Sequence, residues 1–149
     1  MVFVSLTERI QADLIAAIKG KREPERTLLR SLTAALKNAE IEAAGPLNDT
    51  QATAVLVKQA KRREEAATAA AGRPELAARE RDEAVIIARY LPEPLSSDEL
   101  APLVDEAIRE TGAASPADMG KVMGALKEKT AGRADQSSVA QLVKERLSA

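Results

Sequence analysis

Gly120 and Gly124 stand four residues apart in the run Met119-Gly120-Lys121-Val122-Met123-Gly124-Ala125-Leu126, and Gly132-Arg133-Ala134-Asp135 follows soon after. The spacing predicts a helix, although glycine in a helix interior costs about 1 kcal/mol relative to alanine. At about 100° per residue, Met119, Val122, Met123 and Leu126 form an apolar face roughly 100° wide. Both glycines fall together beside that face as one bare strip, with Lys121 on its solvent side and Lys127 at its apolar edge. Such a strip suits a close helix crossing, with Val143 or Leu147 of the last helix packed onto it, or a phosphate backbone approaching between the lysines. Arg133 adds a cation just before a helix N-terminus, where about half a unit of positive charge and free N–H groups already favour an anion. It therefore needs a partner, either Asp135 or Glu128 nearby or a phosphate bridging Arg133 and the helix end. Gly120, Lys121, Gly124, Lys127 and Arg133 are the candidate RNA-binding residues.

Other chemistry is narrowly bounded. The chain has neither histidine nor cysteine, which excludes Ser-His-Asp and Cys-His catalysis, disulfides, zinc-thiolate and haem sites. Carboxylates cluster at Glu64/Glu65, Glu80/Asp82/Glu83 and Asp105/Glu106, but adjacent helical residues point in different directions. No glycine-rich phosphate loop follows a strand. No catalytic residue, metal ligand or cofactor is expected. Lys58, Lys61, Arg62 and Arg63 precede Glu64 and Glu65 and read as a solvated helix face, with Lys61 and Glu65 at ion-pair spacing.

Phe3 and Tyr90 are the aromatics, against 30 alanines in 149 residues. That composition argues against base-stacking modules and requires an aliphatic core. The net charge of −1 gives no global basic field, but its distribution is uneven. Residues 19 to 37 hold six basic and two acidic side chains, residues 96 to 114 one and five, and residues 115 to 149 six and four. An anionic partner should meet the glycine-bearing helix, the last helix or the Lys19 to Lys37 segment. Met1-Val2-Phe3-Val4 is too short for a signal peptide and no apolar run reaches about 18 residues, so a cytoplasmic protein is expected.

The elements that position these residues read as seven helices and no strand. Ser5 with Glu8 forms a capping box opening a helix with Leu6, Ile10, Leu14 and Ile18 on one face, ending near Gly20. Pro24 sits in the first turn of the next, with Leu28, Leu32, Ala35, Leu36 and Ala39, closed by Gly45-Pro46. Asn48 with Gln51 caps a third helix running to about Ala71, and Pro74 starts a fourth with Leu76, Ala84, Ile87 and Tyr90. Pro92 and Pro94 break the helical pattern, because each pushes its predecessor toward extended geometry. Beyond them, Ser96 with Glu99 opens a helix with Leu100, Leu103, Val104, Ala107 and Ile108 that ends at Thr111-Gly112. Ser115-Pro116 opens the glycine-bearing helix, and Asp135 caps the last, with Val139, Leu142, Val143 and Leu147. The expected architecture is all-α, with an N-terminal helical domain over 1–91, a Pro-rich linker over 92–95 and a three-helix domain over 96–149.

The run from Met119 to Asp135 resembles the signature of the GatB/YqeY family. So do Arg30 to Glu42 (RSLTAALKNAEIE), Lys61 to Glu65 (KRREE) and Tyr90-Leu91-Pro92. Together they cover nearly the whole chain in order and look like the stand-alone YqeY type. In that family's pattern Gly-Arg-Ala-Asp is commonly followed by glycine, where this chain has Gln136. The resemblance implies kinship with the tail domain of the B subunit of glutamine-dependent tRNA amidotransferase, the part assigned to tRNA contact. It implies tRNA, or a tRNA-charging or amidating enzyme, as partner, and a place in translation. The large domain carrying the ATP-dependent amide transfer has no counterpart here. The family's carbon–nitrogen ligase label therefore attaches by kinship, and independent catalysis is not expected. The alternatives are a protein–protein adaptor without RNA contact and an amidotransferase component acting in trans. A monomer is expected, with no DNA or membrane partner.

Overall fold

The structure, a computed structural model, describes residues 4–149. Met1 to Phe3, which carry most of the segment read as too short for a signal peptide, lie outside the described residues. Among the described residues seven α-helices follow one another: α1 (Leu6–Lys19), α2 (Glu25–Ala43), α3 (Asp49–Ala69), α4 (Pro74–Ala88), α5 (Ser97–Thr111), α6 (Met119–Thr130) and α7 (Gln136–Ser148). A 3₁₀ turn, Pro116–Asp118, precedes α6. The fold is all-α, with no strand among the described residues. Contacts divide the chain into two compact units, Met1–Leu91 and Pro92–Ala149.

In the first unit the capping boxes set the helix starts. The Ser5 hydroxyl accepts from Glu8 N at 3.1 Å and the Asn48 carbonyl from Gln51 N at 2.8 Å. Each satisfies an N–H that has no partner inside its own helix. Leu6 N donates to Asp49 Oδ1 at 3.0 Å, tying the start of α1 to that of α3. The core is aliphatic, with Ile10, Leu28, Leu29, Leu32, Leu36, Leu56 and Ile87 fully buried. Ile18 departs from the expected face and is exposed, while Ala17 is buried. Residues spaced by four drift about 40° per step around a helix. Over Leu6, Ile10, Leu14 and Ile18 the drift carries Ile18 off the core, whereas Ala17, seven residues beyond Ile10, stays in phase. Leu76 is likewise exposed, whereas Ala77 is buried, as are Ala67 and Ala70 across the short turn between α3 and α4. The second helix ends at Ala43, and the residue in left-handed geometry is Ala44, with φ 56°, ahead of the Gly45-Pro46 breaker pair.

The second unit has its own aliphatic core. Val104, Val122, Leu126, Val139 and Val143 are fully buried, with Leu100, Ala107 and Leu147 around them. Met119, Met123 and Leu142, expected in the core, are only partly buried at its margin. Gly112 caps α5 in left-handed geometry, φ 67°, where an L side chain would be strained. The Pro-rich stretch read as a linker over 92–95 is hydrogen-bonded to the loop before α7: Leu95 N donates to Arg133 O at 2.7 Å and Arg133 Nε to Glu93 O at 3.0 Å.

Two outcomes follow. Leu126→Ala should lower stability by about 2–5 kcal/mol, as expected of a fully buried leucine, with Met123→Ala clearly less damaging; denaturant midpoints would check this. A fragment covering residues 92–149 should be helical by circular dichroism and melt at higher temperature than one covering 96–149, which lacks the strap to Arg133. Equal melting of the two would show that the strap contributes nothing.

Candidate functional site

The start of α6 is fixed from outside the helix. The Asp118 carboxylate accepts from Ala114 N at 2.9 Å and Ser115 N at 3.3 Å. These backbone donors, with Lys121 Nζ 3.8 Å away, hold Asp118 below the usual carboxylate range. The helix then buries Val122, Leu126 and Thr130 on one side. Thr130 lies fully inside because its hydroxyl donates to Leu126 O at 2.9 Å and accepts from Gln136 Nε2 at 3.2 Å.

This rotation turns the glycines outward. Gly120 and Gly124 are both exposed, and a Cβ added at either would meet nothing within 4 Å. The close-crossing expectation, Val143 or Leu147 packed onto the strip, is therefore wrong. Those side chains are buried in the core of the unit instead. The strip carries the conformational penalty of glycine without a packing gain inside the fold.

The cations around it differ in how free they are. Lys121 is 70% exposed, with Asp118 at the edge of ion-pair range. Lys127 is exposed in the last turn with Lys129, where positive charge also suits the helix C-terminus. Arg133, expected to pair with Asp135 or Glu128, also reaches the Pro-rich stretch. Its Nε donates to Glu93 O at 3.0 Å, and Nη2 lies 3.9 Å from Glu99 Oε2. The structure thus places Gly120, Lys121, Gly124 and Lys127 on α6, while Arg133 serves as a strap for residues 93–95. Among the described residues no group of three acidic, histidine or cysteine side chains could hold a metal ion, and no helix is long and apolar enough to cross a membrane.

Sequence reasoning missed two polar arrangements in the first unit. Arg63, read as part of a solvated run, is nearly buried. It lies 3.4 Å from Glu83, donates to Ser31 at 3.1 Å and bonds the Gln59 side chain. Its signal was phase, since Leu56, Gln59, Arg63 and Ala67 recur at helical spacing and the other three are buried. The second arrangement is a cleft of about 260 Å³ formed by α1, α2, the loop between them, and the end of α4 with the residues after it. There the Tyr90 hydroxyl donates to Asp13, Arg9 lies over the Tyr90 ring, 5.5 Å from its centroid, and Glu25 bridges Arg22 and Arg89. A tyrosine in so aromatic-poor a chain was the available clue.

Against this geometry, a family model described as Yqey-like protein matches residues 7–147. Comparison with curated proteins finds no match.

Because the Cβ positions are open, Gly124→Ala in mid-helix should raise stability by up to about 1 kcal/mol, and Gly120→Ala, in the first turn, by less. A thermal or denaturant series on both variants checks this. Destabilisation would mean that the strip is covered within the fold.

Proposed function

The chain belongs to the Yqey-like protein family, and on that premise we propose that it is a non-catalytic module that binds tRNA through the bare strip of α6. The observation that carries the reading is the pair of exposed glycines with open space above both. Each weakens its helix, and no contact inside the fold offsets that. A ribose–phosphate backbone lying along the strip could approach the helix more closely than any side chain would permit. Lys121 and Lys127 would then sit on either side of it, making the sequence-independent phosphate contacts that position RNA. The resemblance of Met119 to Asp135 to the tail domain of the amidotransferase B subunit supports the same surface, and makes an enzyme acting on tRNA a natural companion.

The chain has neither histidine nor cysteine, and three carboxylates of the second unit are already engaged, Asp118 and Glu99 at caps and Asp105 with Arg146 at 3.0 Å. On this reading the module acts by binding. Affinity should be modest, because few cations converge on α6 and the net charge of −1 supplies no long-range steering.

Filter binding to purified tRNA species at low salt tests this. The Lys121→Ala, Lys127→Ala double variant should fold normally, since both side chains are exposed. It should bind all tRNA species about equally more weakly, and its log affinity against log salt should be shallower by roughly 0.7–0.9 per lysine. Gly124→Leu should keep the fold, because its Cβ position is open, and lose RNA binding by filling the strip. No affinity of the wild-type protein for tRNA at low salt would sink the reading and leave an adaptor without RNA contact.

A further inference from the structure

We propose that the cleft between α1, α2 and the end of α4 binds a phosphate monoester, held by the guanidinium groups of Arg9, Arg22 and Arg89. The site lies wholly in the first unit and does not rest on the tRNA reading of α6.

Charge is the first support. Three guanidiniums face two carboxylates, Asp13 and Glu25, so the cleft carries a formal charge of +3 − 2 = +1. A phosphate monoester brings about −1.5 to −2 at neutral pH with three acceptor oxygens. A carboxylate brings one charge and two oxygens, a role that Glu25 already fills between two of the arginines.

Donor geometry is the second support. Glu25 Oε2 accepts from Arg22 Nε at 2.9 Å and its Oε1 lies 3.5 Å from Arg89 Nη1. The bridge brings both guanidiniums to the cleft while leaving the other N–H groups of each fork available, five being present on every arginine. Arg22 and Arg89 remain 54% and 64% exposed, so an external oxyanion can reach them.

Arg9 is kept available in a different way. Asp13 stands four residues after Arg9, at a spacing that ordinarily invites an ion pair. Instead the Asp13 carboxylate accepts from the Tyr90 hydroxyl, and the Arg9 guanidinium lies over the ring. Burial, reinforced by the neighbouring carboxylate, pushes the Tyr90 phenol well above its ordinary range. It therefore stays protonated and continues to occupy Asp13. Tyr90 acts as a positioning residue that diverts a carboxylate from an arginine.

Shape is the third support. Leu29 and Ile86 line the cleft, offering apolar surface to the body of the ligand. About 260 Å³ exceeds what an ion alone fills, given roughly 30 Å³ per water. The monoester could belong to a free phosphorylated metabolite or to the 5′ end of an RNA, and the probes separate these sources.

The test is isothermal titration of the full chain with inorganic phosphate, a ribonucleoside 5′-monophosphate, the parent nucleoside, and a short RNA with or without a 5′-phosphate. Saturable binding of the monophosphate and none of the nucleoside is expected. Arg9→Gln and Arg89→Gln should each weaken binding about tenfold with unchanged melting, since both side chains are exposed. Tyr90→Phe should weaken it comparably by releasing Asp13 to Arg9. Arg109→Gln, on α5, removes the same charge elsewhere and should leave affinity intact. Stronger binding of 5′-phosphorylated RNA than of the mononucleotide assigns the ligand to an RNA end, and the reverse order to a metabolite; either supports the site. No binding of monophosphate by the wild type, equal weakening by Arg109→Gln, or no weakening by Arg9→Gln and Arg89→Gln overturns it.

Discussion

Val122 and Leu126 must be dry, and that requirement sets the rotation of α6. Both are fully buried among Val104, Val139 and Val143, and Thr130 continues the same face inward by bonding Leu126 O with its hydroxyl. Once those three positions point in, helical geometry has no freedom left for Gly120 and Gly124. They lie on the exposed side, with Lys121 and Lys127 beside them. The outward face of α6 is thus a consequence of core packing. Changing that surface need not disturb the core, because its Cβ positions open on solvent.

The same logic governs the polar groups. With charges almost balanced over the chain, function cannot come from a global field, and local arrangement decides which cations remain available. Arg63 is drawn between Glu83, Gln59 and Ser31, and Arg133 is held by a backbone carbonyl of the Pro-rich stretch. Lys121 is loosely associated with Asp118, itself committed to two backbone N–H groups. In the first unit, Tyr90 holds Asp13 and Glu25 holds two arginines at once. An arginine bound to protein acceptors is structural, whereas one facing a cleft with unsatisfied donors is available to an anion. Counting basic residues along a segment does not distinguish the two.

Membership of the Yqey-like family and the all-α class were both legible in the residues, because each rests on local pattern. Capping boxes at Ser5, Asn48 and Ser96 open helices where they were read, and Gly20 and Gly112 end α1 and α5. An N-cap bond spans three residues and a turn only a few more, so sequence neighbours suffice to specify them. The apolar periodicity of α2 and α7 was equally local, and Leu28, Leu32, Leu36, Val139 and Val143 are buried as their spacing implies.

Where sequence reading departed from the structure, the missing information was helical phase at Ile18 and the identity of a distant neighbour elsewhere. Ile18 and Leu76 are apolar and were placed on core faces, yet nothing packs over them enough to exclude water. Whether the glycine strip was covered depended on where α7 lies, and Arg133 donates to the carbonyl of Glu93, 40 residues away. Tyr90 meets Asp13 across 77 residues, and Arg63 reaches Ser31 across 32. Helix existence, ends and approximate apolar faces are settled by interactions within a few residues, so the sequence by itself determined them. Which face turns inward, which cation is taken and which cleft remains open depend on side chains brought together by packing, and only the tertiary structure decided those.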